Sequence, residues 1–186
     1  MIDKLVQWDR DLFIWLNNLG IERYDSFWVF VTQIETWIPA YVFMFILMFW
    51  FFPKRNAVIA TMSTIGVTLF TLGLTRVVKD YVQRLRPSNT PELAELIRVL
   101  QEPFDFSFWS GHSATSFAVT VFVVLVLRDK SKYVYLFFIW PILFAMSRVY
   151  VGVHYPGDLL VGALAGTTIA FLFYTLLRKQ IRTDDS

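Results

Sequence analysis

From about residue 34 onward the chain alternates apolar blocks of bilayer length with short charged connections. Five blocks, 34–52, 57–78, 111–127, 133–149 and 159–177, are long and apolar enough to cross a membrane as helices. The first and fourth contain Pro39 and Pro141, which a helix packed among others in a membrane tolerates. Residues 1–33 follow another pattern. Charges at Asp3, Lys4, Asp9, Arg10, Asp11, Glu22, Arg23 and Asp25 divide their apolar positions into pieces too short to cross. This predicts an amphipathic helix lying in the membrane interface, anchored by Trp8, Trp15 and Trp28, with a sixth span as the alternative. The expected fold is all-α, a polytopic membrane helix bundle forming one domain over residues 1–186.

Composition agrees with that reading. Hydrophobic residues make up 56% and charged residues 17%, with a mean hydropathy of +0.51, which lies outside the soluble globular range. A net charge of +2 is too small to argue for a nucleic-acid partner. The absence of cysteine excludes disulfides, thiolate metal sites and cysteine nucleophiles. The opening MIDKLVQWDRDLF mixes acidic and basic residues before any apolar run, so no cleavable signal is expected. In a five-span arrangement the basic connections at 53–55, 128–132 and 178–182 share one side, cytoplasmic by the positive-inside rule. Lys79, Arg86, His112, Arg148, His154 and Asp158 then gather at the opposite, outer face.

Those residues fall in three clusters. In KDYVQRLRP, Lys79 and Arg86 stand two helical turns apart and can share a face, and Pro87 turns the chain away. Alone this resembles a basic collar at a membrane boundary. In FWSGHSATS, Ser110 suits an N-cap, Gly111 allows close backbone approach, and His112 lies in the first turn. The free amides of such a helix start can bind an anion. In SRVYVGVHYPGD, Arg148 offers a planar fork for phosphate oxygens. Pro156 suits a helix start that brings Asp158 within reach of His154. A carboxylate beside an imidazole accepts its Nδ1 proton and leaves Nε2 as a nucleophile or base. Three cations, an amide-rich helix start and two histidines suit phosphoryl transfer.

Together the clusters resemble the type-2 phosphatidic acid phosphatase superfamily of integral membrane lipid phosphatases. The pattern Lys-x6-Arg-Pro is matched by Lys79, Arg86 and Pro87. Pro-Ser-Gly-His is matched at Ser110, Gly111 and His112, and Ser-Arg-x5-His-x3-Asp at Ser147, Arg148, His154 and Asp158. The resemblance implies that Lys79, Arg86 and Arg148 hold the phosphate with the backbone of Ser110 and Gly111. It implies that His154 attacks phosphorus to give a phosphohistidine while Asp158 orients it. His112 would protonate the leaving alkoxide and then activate water. No metal and no cofactor are implied. The partner would be a lipid phosphate reached from the bilayer: undecaprenyl diphosphate, phosphatidylglycerol phosphate or a lipid A phosphate. Trp109 departs from the pattern by replacing its proline, which restores a backbone donor and frees φ. Its ring could anchor at the outer interface.

Two further segments carry expectations. In the outer loop 88–107, Leu93, Leu96, Ile97 and Leu100 recur at helical spacing between Pro91 and Pro103, which predicts a short lid helix over 91–101. The stretch GALAG, 162–166, offers a small-xxx-small face for close helix contact. A non-enzymatic lipid-binding or transport protein built on the same anion site is the rival reading. It lacks the internal repeat that transporters commonly carry.

Overall fold

The computed structural model describes residues 2–182. Among them the regular elements are all helical. In chain order these are α1 (Ile2–Asn18), α2 (Asp25–Val31), α3 (Ile38–Phe51), α4 (Lys54–Val82), α5 (Gly111–Leu127), α6 (Ile139–Tyr150) and α7 (Pro156–Arg182). Short 3₁₀ turns precede α2, α3 and α6 and punctuate the connection between α4 and α5.

The five apolar blocks all become helix, with altered ends. Residues 34–52 enter through a 3₁₀ turn, Glu35–Trp37, before α3, which takes Pro39 in its first turn where no N–H is missed. Residues 133–149 divide into a 3₁₀ stretch, Lys132–Phe138, and α6. Pro141 lies in the first turn of α6, because a proline farther inside would remove a helix hydrogen bond. Among the described residues three helical stretches can cross a membrane by length and composition, those beginning at Lys54, Lys132 and Pro156. A fourth is added if Glu22–Val31 and Glu35–Phe51, bent by 67° at their junction, count as one span. At 17 residues α5 is an apolar helix at the short limit of what can cross a membrane.

Helix α5 is central. From Ala118 to Leu127 every residue is buried, as an all-round apolar helix must be when neighbours surround it. Against it α7 packs backbone to backbone. A Cβ on Gly166 would stand 2.0 Å from the Ala114 carbonyl oxygen, and one on Gly162 would stand 2.7 Å from that of Ser110. The GALAG face is therefore the α5–α7 contact. Outward positions on the other helices are apolar: Phe43, Ile46 and Trp50 of α3, Met62, Leu69 and Val77 of α4, and Leu160, Leu164 and Leu176 of α7 are exposed. A continuous apolar exterior of this kind marks a membrane-facing surface.

The N-terminal segment is helical and amphipathic, as its pattern predicts. On α1, Phe13 and Asn17 are buried, while Leu5, Trp8, Leu12 and Trp15 form an exposed stripe at spacings of three and four. Trp28 differs from the expected anchor, since its ring stacks on Tyr150 with centroids 5.2 Å apart.

The expected lid helix over 91–101 is not formed. Only a 3₁₀ turn, Pro91–Leu93, is present, followed by turns and irregular backbone. Tertiary partners take the groups a helix would have used. Asn17 Nδ2 donates to the Arg98 carbonyl at 3.0 Å, the Arg98 amide donates to Asn17 Oδ1 at 2.7 Å, and the Leu100 amide donates to the Val151 carbonyl at 3.0 Å. Gly152 makes this approach feasible. Its φ is +86°, and a Cβ there would meet the Arg98 carbonyl oxygen at 2.6 Å.

Candidate active site

The polar residues collect where α4 ends, α5 and α7 begin and α6 ends. The opposite end of the bundle carries the basic connections, with Lys54, Arg55, Arg128, Lys130 and Lys132, and there Asn56 Nδ2 ties α4 to α7 by donating to the Ile181 carbonyl at 2.9 Å.

Lys79 and Arg86 reach the site by different routes, contrary to the expectation of one shared helical face. Helix α4 stops at Val82, and Gln83 takes a left-handed conformation, φ +52°, with its amide on the Lys79 carbonyl. Arg86 is extended, φ −73° and ψ 155°, as a residue before proline tends to be. Both cations nevertheless converge on Asp105. Lys79 Nζ bonds Asp105 Oδ2, and Arg86 Nη2 bonds Oδ1 at 2.6 Å. Partial burial pulls the Asp105 carboxyl upward, but Lys79 and Arg86 outweigh it and hold it at about 2. These contacts stabilise the fold above the ordinary carboxylate value of 3.8 and are lost only as pH falls toward 2.

His154 is fully buried. Its main chain is set by α6, because the Arg148 carbonyl accepts from the amides of Val153 and His154 at 3.1 and 3.3 Å. Arg86 Nη1 stands 2.9 Å from Nε2. A guanidinium only donates, so Nε2 is the acceptor and the proton lies on Nδ1. Nδ1 faces Asp158 Oδ2 at 3.4 Å and Ser107 Oγ at 3.3 Å, while the Ser107 hydroxyl donates to Asp158 Oδ2. Burial first, then the charges of Arg86, Arg148 and Lys79, push His154 well below the usual histidine value. Burial and the donor contact from Arg86 thus both favour the uncharged imidazole.

Arg148 is buried at the end of α6, with Nη1 on Thr32 Oγ1 and on Gln101 Oε1 at 3.1 Å. Its Nε is buried and has no partner among the described residues. His112 lies against Phe144, ring centroids 4.9 Å apart. Ser110 caps α5, accepting from the Ser113 amide at 3.3 Å, and its own amide donates to the Asp158 carbonyl at 3.1 Å. Of the two residues expected to offer backbone to phosphate, Gly111 lines the cavity, whereas Ser110 joins α5 to α7. Trp109 is tied inward, its indole N–H on Thr75 Oγ1 at 2.8 Å, and is not a free interface anchor.

One cavity of about 680 Å³ opens onto part of this set, and His154, fully buried, lies behind Arg86 and does not line it. Lys79, Arg86, Asp105, Gly111, His112 and Arg148 line its polar part, and Ile34, Tyr41, Leu72 and Phe144 its apolar part. A second hollow of about 410 Å³ reaches His112 and Arg148 between Thr32–Glu35 and Gln101–Pro103. Among the described residues, no group of three or more His, Asp or Glu gathers that could hold a metal.

Four participants were not singled out in the sequence: Asp9, Arg84, Asp105 and Ser107. Arg84 Nη1 bonds Asp158 Oδ1 at 2.7 Å. Its position two residues before Arg86 is the one available signal, and spacing alone does not tell which arginine faces phosphate.

A lipid A 4'-phosphatase of Bacteroides thetaiotaomicron is 29% identical over 184 residues, covering 96% of this chain and 81% of the relative. An undecaprenyl-diphosphatase of Sulfolobus acidocaldarius is 30% identical over 174 residues, covering 91% and 79%. The crystal structure of a transmembrane PAP2-type phosphatidylglycerolphosphate phosphatase from Bacillus subtilis superposes with a TM-score of 0.73 at 23% identity, covering 96% of this chain and 89% of that one. The PAP2 superfamily model matches residues 60–182, the stretch that carries all three polar clusters, and the chain belongs to that superfamily.

Proposed function

We propose that the protein hydrolyses the phosphate of a membrane lipid through a phosphohistidine on His154, without a metal or cofactor. The observation that carries this reading is the cavity in which Lys79, Arg86, Arg148 and His112 adjoin an apolar limb, with the His154 Nε2 lone pair held by Arg86 just behind it. A phosphate there would take over the donors of Lys79 and Arg86 and the unpartnered Nε of Arg148. Turning Arg86 onto phosphate frees Nε2. The nitrogen then bonds phosphorus as the bond to the lipid oxygen breaks, and His112 gives that oxygen its proton. Water attacks the phosphohistidine next, His112 takes the water proton, and the P–N bond breaks to release phosphate. The lipid chain would occupy the limb lined by Ile34, Tyr41 and Leu72.

Relatives named for lipid A 4'-phosphate, undecaprenyl diphosphate and phosphatidylglycerophosphate supply the substrate candidates. Purified protein presented with this panel should release phosphate from at least one. No release from any would overturn the reading in favour of a binding protein.

Asp105 engages the Lys79 and Arg86 donors that a phosphate would use, so it would give way when substrate arrives. Asp105→Asn should therefore tighten competitive inhibition by inorganic phosphate by roughly tenfold, since a like charge is removed from the cavity. Unchanged inhibition would mean that Asp105 and phosphate bind side by side.

Five spans, the bent pair and α5 included, would place the catalytic end outside and the basic end in the cytoplasm. A cysteine at Asn89 should label from outside intact cells, and one at Ser131 should not. The native chain has no cysteine, so background is absent. The reverse pattern would place the site in the cytoplasm.

A further inference from the structure

Asp158 is held by more than its duty toward His154 requires. Its carboxylate is fully buried. Oδ2 meets Ser107, His154 Nδ1 and, at 3.1 Å, the Tyr155 amide. The other oxygen, Oδ1, accepts from Arg84 Nη1 at 2.7 Å. Arg84 does not line the phosphate cavity. Its guanidinium lies over the Tyr155 ring, 3.9 Å from the centroid, and its Nη2 donates to Asp9 Oδ2 at 2.8 Å. The second oxygen of Asp9 accepts the Gly157 amide at 2.7 Å, at the start of α7. The Asp9 carboxylate fills the space there, and a Cβ on Gly157 would meet it at 2.9 Å.

We propose that Arg84, pinned by Asp9 of α1, is a positioning residue that fixes the Asp158 carboxylate so that Asp158 in turn fixes the His154 ring. This rests on the reading of His154 as the nucleophile. A buried carboxylate needs a compensating cation, and Arg84 is the one arginine or lysine in direct contact with it among the described residues. Arg86 lies one step farther, across His154. An arginine bonded to Asp158 alone could rotate about its long side chain. Asp9 on one side and the Tyr155 ring below leave it a single orientation. Supporting groups of this kind hold a reactive side chain within the narrow geometry that attack demands. The arrangement also joins the nucleophile to α1, the helix with the exposed stripe of Leu5, Trp8, Leu12 and Trp15. Docking of α1 on the bundle is thereby a condition for an aligned His154.

The test is steady-state kinetics on purified Arg84→Gln, Arg84→Lys and Asp9→Asn with one lipid phosphate that the native protein hydrolyses, with thermal unfolding measured in the same detergent. Arg84→Gln should lower kcat by about ten- to a hundredfold while KM stays within about twofold, because Arg84 does not touch the phosphate. Arg84→Lys should recover part of the loss, and Asp9→Asn should lower kcat by about three- to tenfold. In an Asp158→Asn background, Arg84→Gln should cost less than about twofold more, since its effect runs through Asp158. A loss that multiplies fully in that background, or one expressed in KM alone, would overturn the proposal and assign Arg84 to packing. If Arg84→Gln does not fold, Asp9→Asn decides, and native kcat in that variant would overturn the proposal equally. Failure of the native protein to release phosphate from any lipid phosphate would be a different result. It would remove the phosphohistidine reading itself.

Discussion

Purified His154→Ala releases no phosphate from any lipid phosphate, although it folds and unfolds like the native protein: this is the expected result with the largest effect. The imidazole supplies the only nucleophile in the proposed mechanism, in which His112 is committed to proton transfer. Lys79, Arg86 and Arg148 are cations, and Ser107 already donates its hydroxyl to Asp158. Asp158→Asn should be milder but still severe, with kcat lower by about 10³- to 10⁴-fold, the scale of losing the correct histidine tautomer. The amide would turn its NH₂ either toward Arg84 or toward Ser107 and His154, and every one of these is a donor to Asp158 in the native arrangement. Phosphate release and trapping of acid-labile phosphoprotein together provide the measurement. Turnover retained in His154→Ala would refute the mechanism.

The second large effect separates the two histidines. His112 is assigned proton transfer, so its importance should depend on the leaving group. A lipid alkoxide cannot depart without a proton, whereas p-nitrophenolate can. His112→Ala should lose most activity toward a lipid phosphate, by about 10²- to 10⁴-fold. With p-nitrophenyl phosphate it should still phosphorylate His154 and then hydrolyse the intermediate slowly. A burst followed by a low steady rate is expected, with phosphate trapped on the protein. His154→Ala should show no burst with either ester. Equal loss toward both esters with nothing trapped would make His112 a phosphate-binding residue rather than the acid.

The site residues that could be read in the chain are those whose geometry is local. His154 and Asp158 stand four residues apart across a helix start set by Pro156, so their pairing follows from spacing. Gly111 and His112 follow Ser110, whose side chain caps α5 by a bond three residues along the chain. The lid helix failed as an expectation for the opposite reason. Its periodicity is real, but Asn17 takes both backbone groups of Arg98 from 81 residues away. Arg86 lies off the α4 helix because the residue before a proline favours extended backbone, and that rule outranks the seven-residue spacing.

The sequence by itself determined that the chain is helical, apolar enough for a bilayer, and polar at one set of helix ends. Block length, proline placement and charge distribution act through neighbours along the chain, and these are visible in order. Only the tertiary structure decided which charges compensate one another at the site. Arg84 meets Asp158 across 74 residues and Asp9 across 75, and Lys79 meets Asp105 across 26. Such pairs form because burial forces each carboxylate to find a cation wherever the packed helices bring one near, and no spacing along the chain records which one that is.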